Sequence, residues 1–363
     1  MINRQFVNNI DWILFGLFLI NVLIGVAFIY SASQHLPGQF FLRQMIFVFV
    51  SLIALFLCVS IDYRYFTEFS LFAYVLLIGV LGGNLLFGRL IAGTKSWIRI
   101  AFFQIQPSEF MKIVLILVLA HLFSKFRSNT LQFRQGFLAG VATVLPVGLI
   151  TLQPDLGTAL TLLPILLAAY ILTGVNYKFV AIALIFLILA GFLAWNFALK
   201  DYQKQRLSTV IFPERDPLGA GYQIIQSKIA IGSGGLLGKG FKKGTQSQLR
   251  FLPARHTDFI FSVIGEETGF IGVVVVLFLY LLMLRRIFLS VEKTRDRAGA
   301  YLVFMVAVLL SAQFFINISM TIGLFPVAGI PLPFLSYGGS SLLANSIGIG
   351  LVLNVRMRRF VNV

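Results

Sequence analysis

Charge is what this chain has least of. Only 12% of its 363 residues are Asp, Glu, Lys or Arg, where an ordinary soluble domain carries about 25%. Set beside a hydrophobic content of 58%, that excludes a soluble globular protein. Acids are the scarcer sign, 13 against 29 Lys and Arg, for a net charge of +16. The single cysteine, Cys58, lies inside an apolar run, so no disulfide forms within the chain and cysteine says nothing about redox compartment. The three histidines, His35, His121 and His256, are scattered, and none forms a His-x-x-x-His pair. There is no metal-ligand cluster, no nucleic-acid module and no internal repeat. The N-terminus lacks a multi-Lys/Arg region and a small-residue cleavage site, so the stretch from Asp11 reads as a retained first span.

What the chain has is apolar length. Runs of about 20 nearly uncharged residues recur, each long enough to cross a hydrocarbon core of about 30 Å. Hydropathy predicts an all-α polytopic membrane protein with ten transmembrane helices, at 12–30, 42–59, 70–88, 109–125, 137–152, 157–173, 179–197, 259–286, 299–324 and 337–355. Ten spans put both termini on one side. If that side is cytoplasmic, the inner segments hold fourteen Lys and Arg, whereas the short outer loops hold only Arg43, Arg89, Lys95 and Arg99. The positive-inside rule favours this orientation.

The single transmembrane domain then carries one large extracytoplasmic loop, 198–258, with ten Lys/Arg against four acids. A cationic loop of this length suggests an anionic partner, either lipid headgroups or a phosphorylated substrate. A solvated basic loop resting on anionic lipid explains the charge equally well. Within it, "GYQIIQSKIAIGSGG" places Tyr222, Ile225 and Ile229 on one helical side, as an interfacial helix would, with Lys228 elsewhere. "GSGGLLGKGFKKGTQSQ", which includes Lys239, offers backbone N–H groups and lysines that suit an anion.

Polar groups at membrane depth are costly and usually functional. In "FLPARHTDFIF", Arg255, His256, Thr257 and Asp258 stand directly against an apolar run. Read as a helix from Asp258, the next stretch puts Asp258, Ser262 and Glu266 on one face, one turn apart. One carboxylate among cations suits a general base acting on a substrate with an anionic leaving group. Arg255 and His256 would favour its charged form. Alternatively Asp258 pairs with Arg255 and caps the helix.

Glu109 and Lys112, at i, i+3, are either a self-neutralising pair or the lining of an external anion site. Asp155 reads as a helix cap. "GTKSWIRIAFFQIQPSE" is too short and polar to span and should lie at the interface, with Trp97 as anchor. "GIPLPFLSYGGSSLLANS" reads as broken or re-entrant backbone under protein cover, its amides suited to an anion at the start of the last helix, or as small residues for close packing.

Five motifs in order, "QPSEFMKI", "LQPDLGTAL", "DPLGAGYQIIQSKIAIGSGGLLGKG", "GTQSQ…FLPARHTDFIFSVIGEETGF" and "GIPLPFLSYGGSS", resemble the SEDS family (shape, elongation, division and sporulation). The length, the short N-terminus and "QPDLGTAL" look more like its RodA elongation branch than its FtsW division branch. The resemblance implies a ten-helix peptidoglycan glycosyltransferase that polymerises lipid II at the outer face of the bacterial cytoplasmic membrane. It implies that Asp258 is the essential aspartate, Trp97 a sensitive tryptophan, and Glu109–Lys112 the family's acid–base pair. Asp258 would deprotonate the acceptor GlcNAc 4-hydroxyl, which attacks the donor anomeric carbon with inversion as undecaprenyl pyrophosphate leaves. The loop cations, Arg255 and Lys112 first, would hold that pyrophosphate. No covalently bound cofactor is expected, and a divalent cation, Mg²⁺ or Mn²⁺, would travel with the pyrophosphate. The family also implies a class B penicillin-binding protein as transpeptidase partner. Ala254 departs from the family, where many members have Glu. A lipid II flippase and a non-enzymatic scaffold for a transpeptidase are the competing readings.

Overall fold

The computed structural model describes residues 9–34, 39–88, 93–100, 103–125, 131–174, 208–210, 212–216 and 219–358. Twelve α-helices and one β-hairpin are named here in chain order. They are α1 (Trp12–Ser33), α2 (Phe40–Ser60), α3 (Tyr63–Glu68), α4 (Ser70–Phe87), β1 (Ile98–Ile100), β2 (Phe103–Ile105), α5 (Pro107–Lys125), α6 (Phe133–Leu152), α7 (Leu156–Thr173), α8 (Ala220–Ser233), α9 (Thr245–Gln248), α10 (Ile260–Glu292), α11 (Arg297–Thr321) and α12 (Gly339–Met357). Among the described residues nine of these helices are long and apolar enough to cross a membrane. They match nine of the ten expected spans; the tenth, 179–197, lies outside the described residues, as does the start of the large loop, 198–207.

Carboxylates start several helices, because free N–H groups there need an acceptor. Asp11 accepts from the Leu14 N–H at 3.3 Å, Asp155 from that of Thr158 at 3.2 Å and Asp296 from that of Gly299 at 3.0 Å. The most enclosed helix is α12, which packs against α2, α5 and α11. Peripheral α4 instead exposes Phe72, Val75, Leu86 and Phe87, as a lipid-facing helix should.

The two ends of the bundle differ. At the end where α1 begins and α12 finishes, the Asp11 carboxylate is paired with Arg286 at 2.9 Å and with Arg356. Asp62 pairs with Arg358 nearby, at 3.3 Å. At the opposite end, irregular backbone and short elements cover the helix ends. The segment around Trp97 is not a simple interfacial stretch. It forms an antiparallel hairpin with Ile98 opposite Ile105, hung from the bundle by the Lys95 N–H on the Gln153 carbonyl (3.3 Å). Trp97 itself is half-buried.

The large loop returns to the bundle through α8. Gly221, Ile224, Ser227 and Ala230 are its buried face, against α10 and α11, which leaves Tyr222, Ile225 and Ile229 opposite, as an interfacial helix requires. Below it α10 is broken at Gly269 (φ 66°, ψ −165°), a conformation open to glycine. The loop repairs the break. Lys239 and Gly240 donate their N–H groups to the Glu266 and Glu267 carbonyls at 3.0 and 2.9 Å. Phe270 and Ile271 donate theirs to the Gly235 and Leu236 carbonyls at 2.9 and 3.2 Å. Two of the amides expected to suit an anion, those of Lys239 and Gly240, are thus spent on the broken helix.

Candidate functional site

Asp258 lies in a turn two residues before α10, because the helix begins at Ile260 and not at Asp258. Ala254, with φ +47°, starts that turn, and its carbonyl accepts the N–H groups of Thr257 (3.1 Å) and Phe259 (3.3 Å). The three carbonyls that follow are pinned in succession. That of His256 accepts the Tyr337 N–H at 2.9 Å, that of Thr257 the Ser336 Oγ at 2.6 Å, and that of Asp258 the Asn317 Nδ2 at 2.9 Å. Asn317, fully buried on α11, also donates to Ile330 (2.8 Å). The broken backbone expected over 329–346 is therefore real as far as Gly338 and helical from Gly339; its 332–336 stretch is buried under protein and fixes the backbone beneath Asp258. The side chain remains half-buried, and a Cβ placed on Gly329 would lie 3.9 Å from its Oδ2.

The neighbouring residue extends the site. Ala328 packs its carbonyl onto Gly157 so closely that a Cβ there would lie 1.9 Å from the oxygen. Consecutive residues thus face Asp258 and pack onto the start of α7, where Asp155 sits. Asp155 caps the helix as expected, but its second oxygen also accepts from Gln106 Nε2 at 2.6 Å. The Gln106 N–H goes to Ser340 Oγ at 3.0 Å, tying α5, α7 and α12 together. Burial raises the Asp155 carboxyl pKa, the Thr158 and Gln106 hydrogen bonds oppose that, and the charge of Glu109 adds to it. One turn into α5, Glu109 and Lys112 form their pair at 2.7 Å, both buried.

Lys228, by contrast, is exposed on α8. It lies over Gly323 at the end of α11, where a Cβ would come within 2.6 Å of its Nζ. The adjacent Ser227 Oγ reaches the Thr321 carbonyl and Ser262 Oγ, each at 2.6 Å. Lys228 is therefore carried on the α11 end one to two turns beyond Asn317.

The expected stripe of Asp258, Ser262 and Glu266 is not one surface. Ser262 is buried in the α8 contact. Glu266 accepts from Lys239 Nζ (2.9 Å), Thr245 Oγ1 (3.2 Å) and the N–H groups of Gln246 (2.8 Å) and Ser247 (3.1 Å). Those donors start α9 and anchor the loop, and they occupy Lys239 away from Asp258. Glu267 is buried against Ser31 Oγ at 2.5 Å. Arg255 is also buried, its Nε on the Ala32 carbonyl at 2.7 Å.

His256 adds no charge at neutral pH. Its ring lies against Phe40 (4.6 Å) and Tyr337 (5.6 Å), and burial, helped by Arg255, brings its pKa down to about 4. The expectation that it would favour an ionised Asp258 is corrected accordingly. Gln106, Asp155, Asn317 and Gly329 belong to the site although sequence reasoning left them out or gave them another role. The only signal for Gln106, Asp155 and Gly329 was their place in or beside the motifs "QPSE", "QPD" and "GIPLP", and Asn317, inside an apolar span, had none.

These features define a multi-pass membrane protein that gathers a half-exposed aspartate, a buried acid–base pair and an exposed lysine at one end of its bundle. Residues 11–360 match the FtsW/RodA/SpoVE family of cell cycle proteins, and the chain belongs to that family. It is 37% identical over 333 residues to the peptidoglycan glycosyltransferase MrdB of Escherichia coli K12, covering 91% of this chain and 89% of that protein. A chain from a peptidoglycan synthase complex, solved to explain the structural coordination of polymerization and crosslinking, superposes with a TM-score of 0.84 at 34% identity, over 97% of this chain and 99% of that one. The crystal structure of the rod shape determining protein RodA of Thermus thermophilus superposes with a TM-score of 0.73 at 30% identity, over 97% and 98%. The latter supports the likeness to the RodA branch.

Proposed function

We propose that this chain is a peptidoglycan glycosyltransferase of the elongation branch that polymerises lipid II, with Asp258 as its general base. The observation that carries the reading is the run of three pinned carbonyls at 256–258. It fixes the base in space through its backbone.

Asp258 takes the proton of the acceptor GlcNAc 4-hydroxyl as that oxygen bonds to the donor anomeric carbon. The bond from that carbon to the pyrophosphate oxygen breaks, and its electron pair leaves with undecaprenyl pyrophosphate. One carboxylate suffices for this inverting displacement. Lys228, exposed at the rim, holds the pyrophosphate and offsets the charge that develops on it. Glu109 and Lys112 act from beneath, as a buried pair that sets the field around Asp155 and Gln106. Mg²⁺ or Mn²⁺ arriving on the pyrophosphate would take its oxygens from that group and from water.

The end bearing Asp258 faces outward from the bacterial cytoplasmic membrane, with both termini cytoplasmic. The likeness to a chain from a synthase complex that couples polymerization to crosslinking supports a class B penicillin-binding protein as partner. The test is polymerisation of purified lipid II by the purified protein, with and without that partner, comparing wild type with Asp258→Asn. Glycan ladders from wild type alone, with both proteins equally monodisperse, support the assignment. Equal ladders remove Asp258 from the chemistry. No ladder from either, with the partner present, overturns the enzyme reading in favour of a flippase or scaffold.

A further inference from the structure

The loop that repairs α10 carries a feature the glycosyl transfer does not use. Leu236 and Leu237 are 71% and 78% exposed, at the tip of a segment whose backbone is bonded to α10 on both sides of Gly269. Two leucines projecting this far need an apolar surrounding.

Their depth can be counted along α10. Arg285 and Arg286 mark one edge of the hydrocarbon, with Arg286 on the Asp11 pair. A core of about 30 Å takes about 20 residues at 1.5 Å each, and counting from Arg286 toward Ile260 ends close to Gly269. The break therefore sits at the far edge of the hydrocarbon. The side chains of α10 just inside it, Phe270, Ile271, Val274, Val275 and Phe278, are all exposed, as lipid-facing residues are. Leu236 and Leu237 continue that apolar surface and project further than any of them.

The flanking residues suit the polar side of the same boundary. Lys243 is exposed. The Lys242 ammonium lies 4.1 Å from the Tyr30 ring centroid, at the loop end of α1. Phe241, between Gly240 and these lysines, is also exposed. Leucines at the hydrocarbon edge with lysines beside them fit an interfacial anchor on anionic lipid.

We infer that the Leu236–Leu237 tip inserts into the hydrocarbon edge of the leaflet on the loop side, with Lys242 and Lys243 on its lipid phosphates. The anchor holds the break in α10 at a fixed height in the bilayer. Through the nine residues from Ile260 to Thr268 it sets the height of Asp258 as well. This goes beyond the glycosyl transfer and stands whether or not that reading is correct.

The test places a nitroxide at Leu237→Cys in a Cys58→Ala background, in nanodiscs containing phosphatidylglycerol, and measures collision with oxygen and with a water-soluble nickel chelate. Phe278→Cys serves as lipid control and Lys293→Cys, exposed just past the far end of α10, as water control. The expected ratio of oxygen to nickel accessibility at 237 is close to that at 278 and about tenfold above that at 293. A ratio like that at 293 overturns the anchor, and so does shielding from both reagents. The ratio should be unchanged when the transpeptidase partner is added; shielding only then assigns the tip to that protein and overturns the lipid assignment. Leu236→Cys repeats the measurement if the 237 label disturbs folding.

Discussion

Glu266 and Asp258 are carboxylates eight positions apart at the same end of α10, and the fold treats them in opposite ways. Around Glu266 the donors point at the carboxylate: a lysine, a threonine hydroxyl and two backbone N–H groups converge on a side chain with no exposure. Around Asp258 the pinned group is the carbonyl, and the two preceding carbonyls are pinned as well. The side chain is left half-exposed against Gly329. Glu266 ties the loop to the bundle through its carboxylate, whereas the proposed base is held by the backbone on which it stands. The lesson is to ask where the chain around each carboxylate is held, since both residues look alike in sequence.

The largest effects should fall on chemistry at one acid and on stability at the other. Asp258→Asn should lower lipid II polymerisation by about 10²–10⁴-fold with the thermal midpoint unchanged, read from glycan ladders and a melting curve on the same preparation. Glu266→Ala should leave Lys239 and two N–H groups without their acceptor and cost about 3 kcal/mol of stability or more, measured by chemical unfolding in detergent. If Asp258→Asn melted the protein while Glu266→Ala left it stable, the contrast would be inverted.

Smaller effects sharpen the picture around the mount. Lys228→Ala should raise KM for lipid II by about tenfold, the equivalent of one charge-assisted contact. Lys228→Arg should recover part of that loss, and equal KM values for all three proteins would take the lysine out of the site. Gly329→Ala adds a Cβ where φ is +67° and should cost about 1–2 kcal/mol in backbone strain. A normal melting curve for that variant would mean the 328–330 backbone relaxes.

A further effect is a pH dependence. His256 has a folded pKa of about 4 against an ordinary 6.5, so between those values the unfolded chain binds more protons. Its contribution is fully present above pH 6.5 and is lost as pH falls toward 4. Stability measured from pH 7 to pH 4.5 should fall, and His256→Phe should flatten that slope.

Much of this was legible in the residues. Nine described spans follow from apolar length alone, and the Asp155 cap and the Glu109–Lys112 pair from spacing. The mount was not legible, because its donors come from Asn317, Ser336 and Tyr337, roughly sixty to eighty positions away, and none of the three bonds involves a side chain of residues 256–258. Glu266 looked like a partner of Asp258 for a related reason. Helical spacing predicts which residues share a face, but not that a loop will return to cover that face. The break at Gly269 was hidden as well, since "ETGFIG" gives no hint that its missing hydrogen bonds are supplied from thirty residues upstream.

That repaired break limits how the chain can be recombined. Four hydrogen bonds join Gly235–Gly240 to the turn around Gly269, so each segment is half of one structural unit although a long stretch of sequence separates them. A chimera that takes the large loop from one relative and the following helix from another will exchange only half of that unit. Swaps whose crossover points enclose both segments should give folded proteins, and those with a crossover between them should fail at assembly, before any question of catalysis arises.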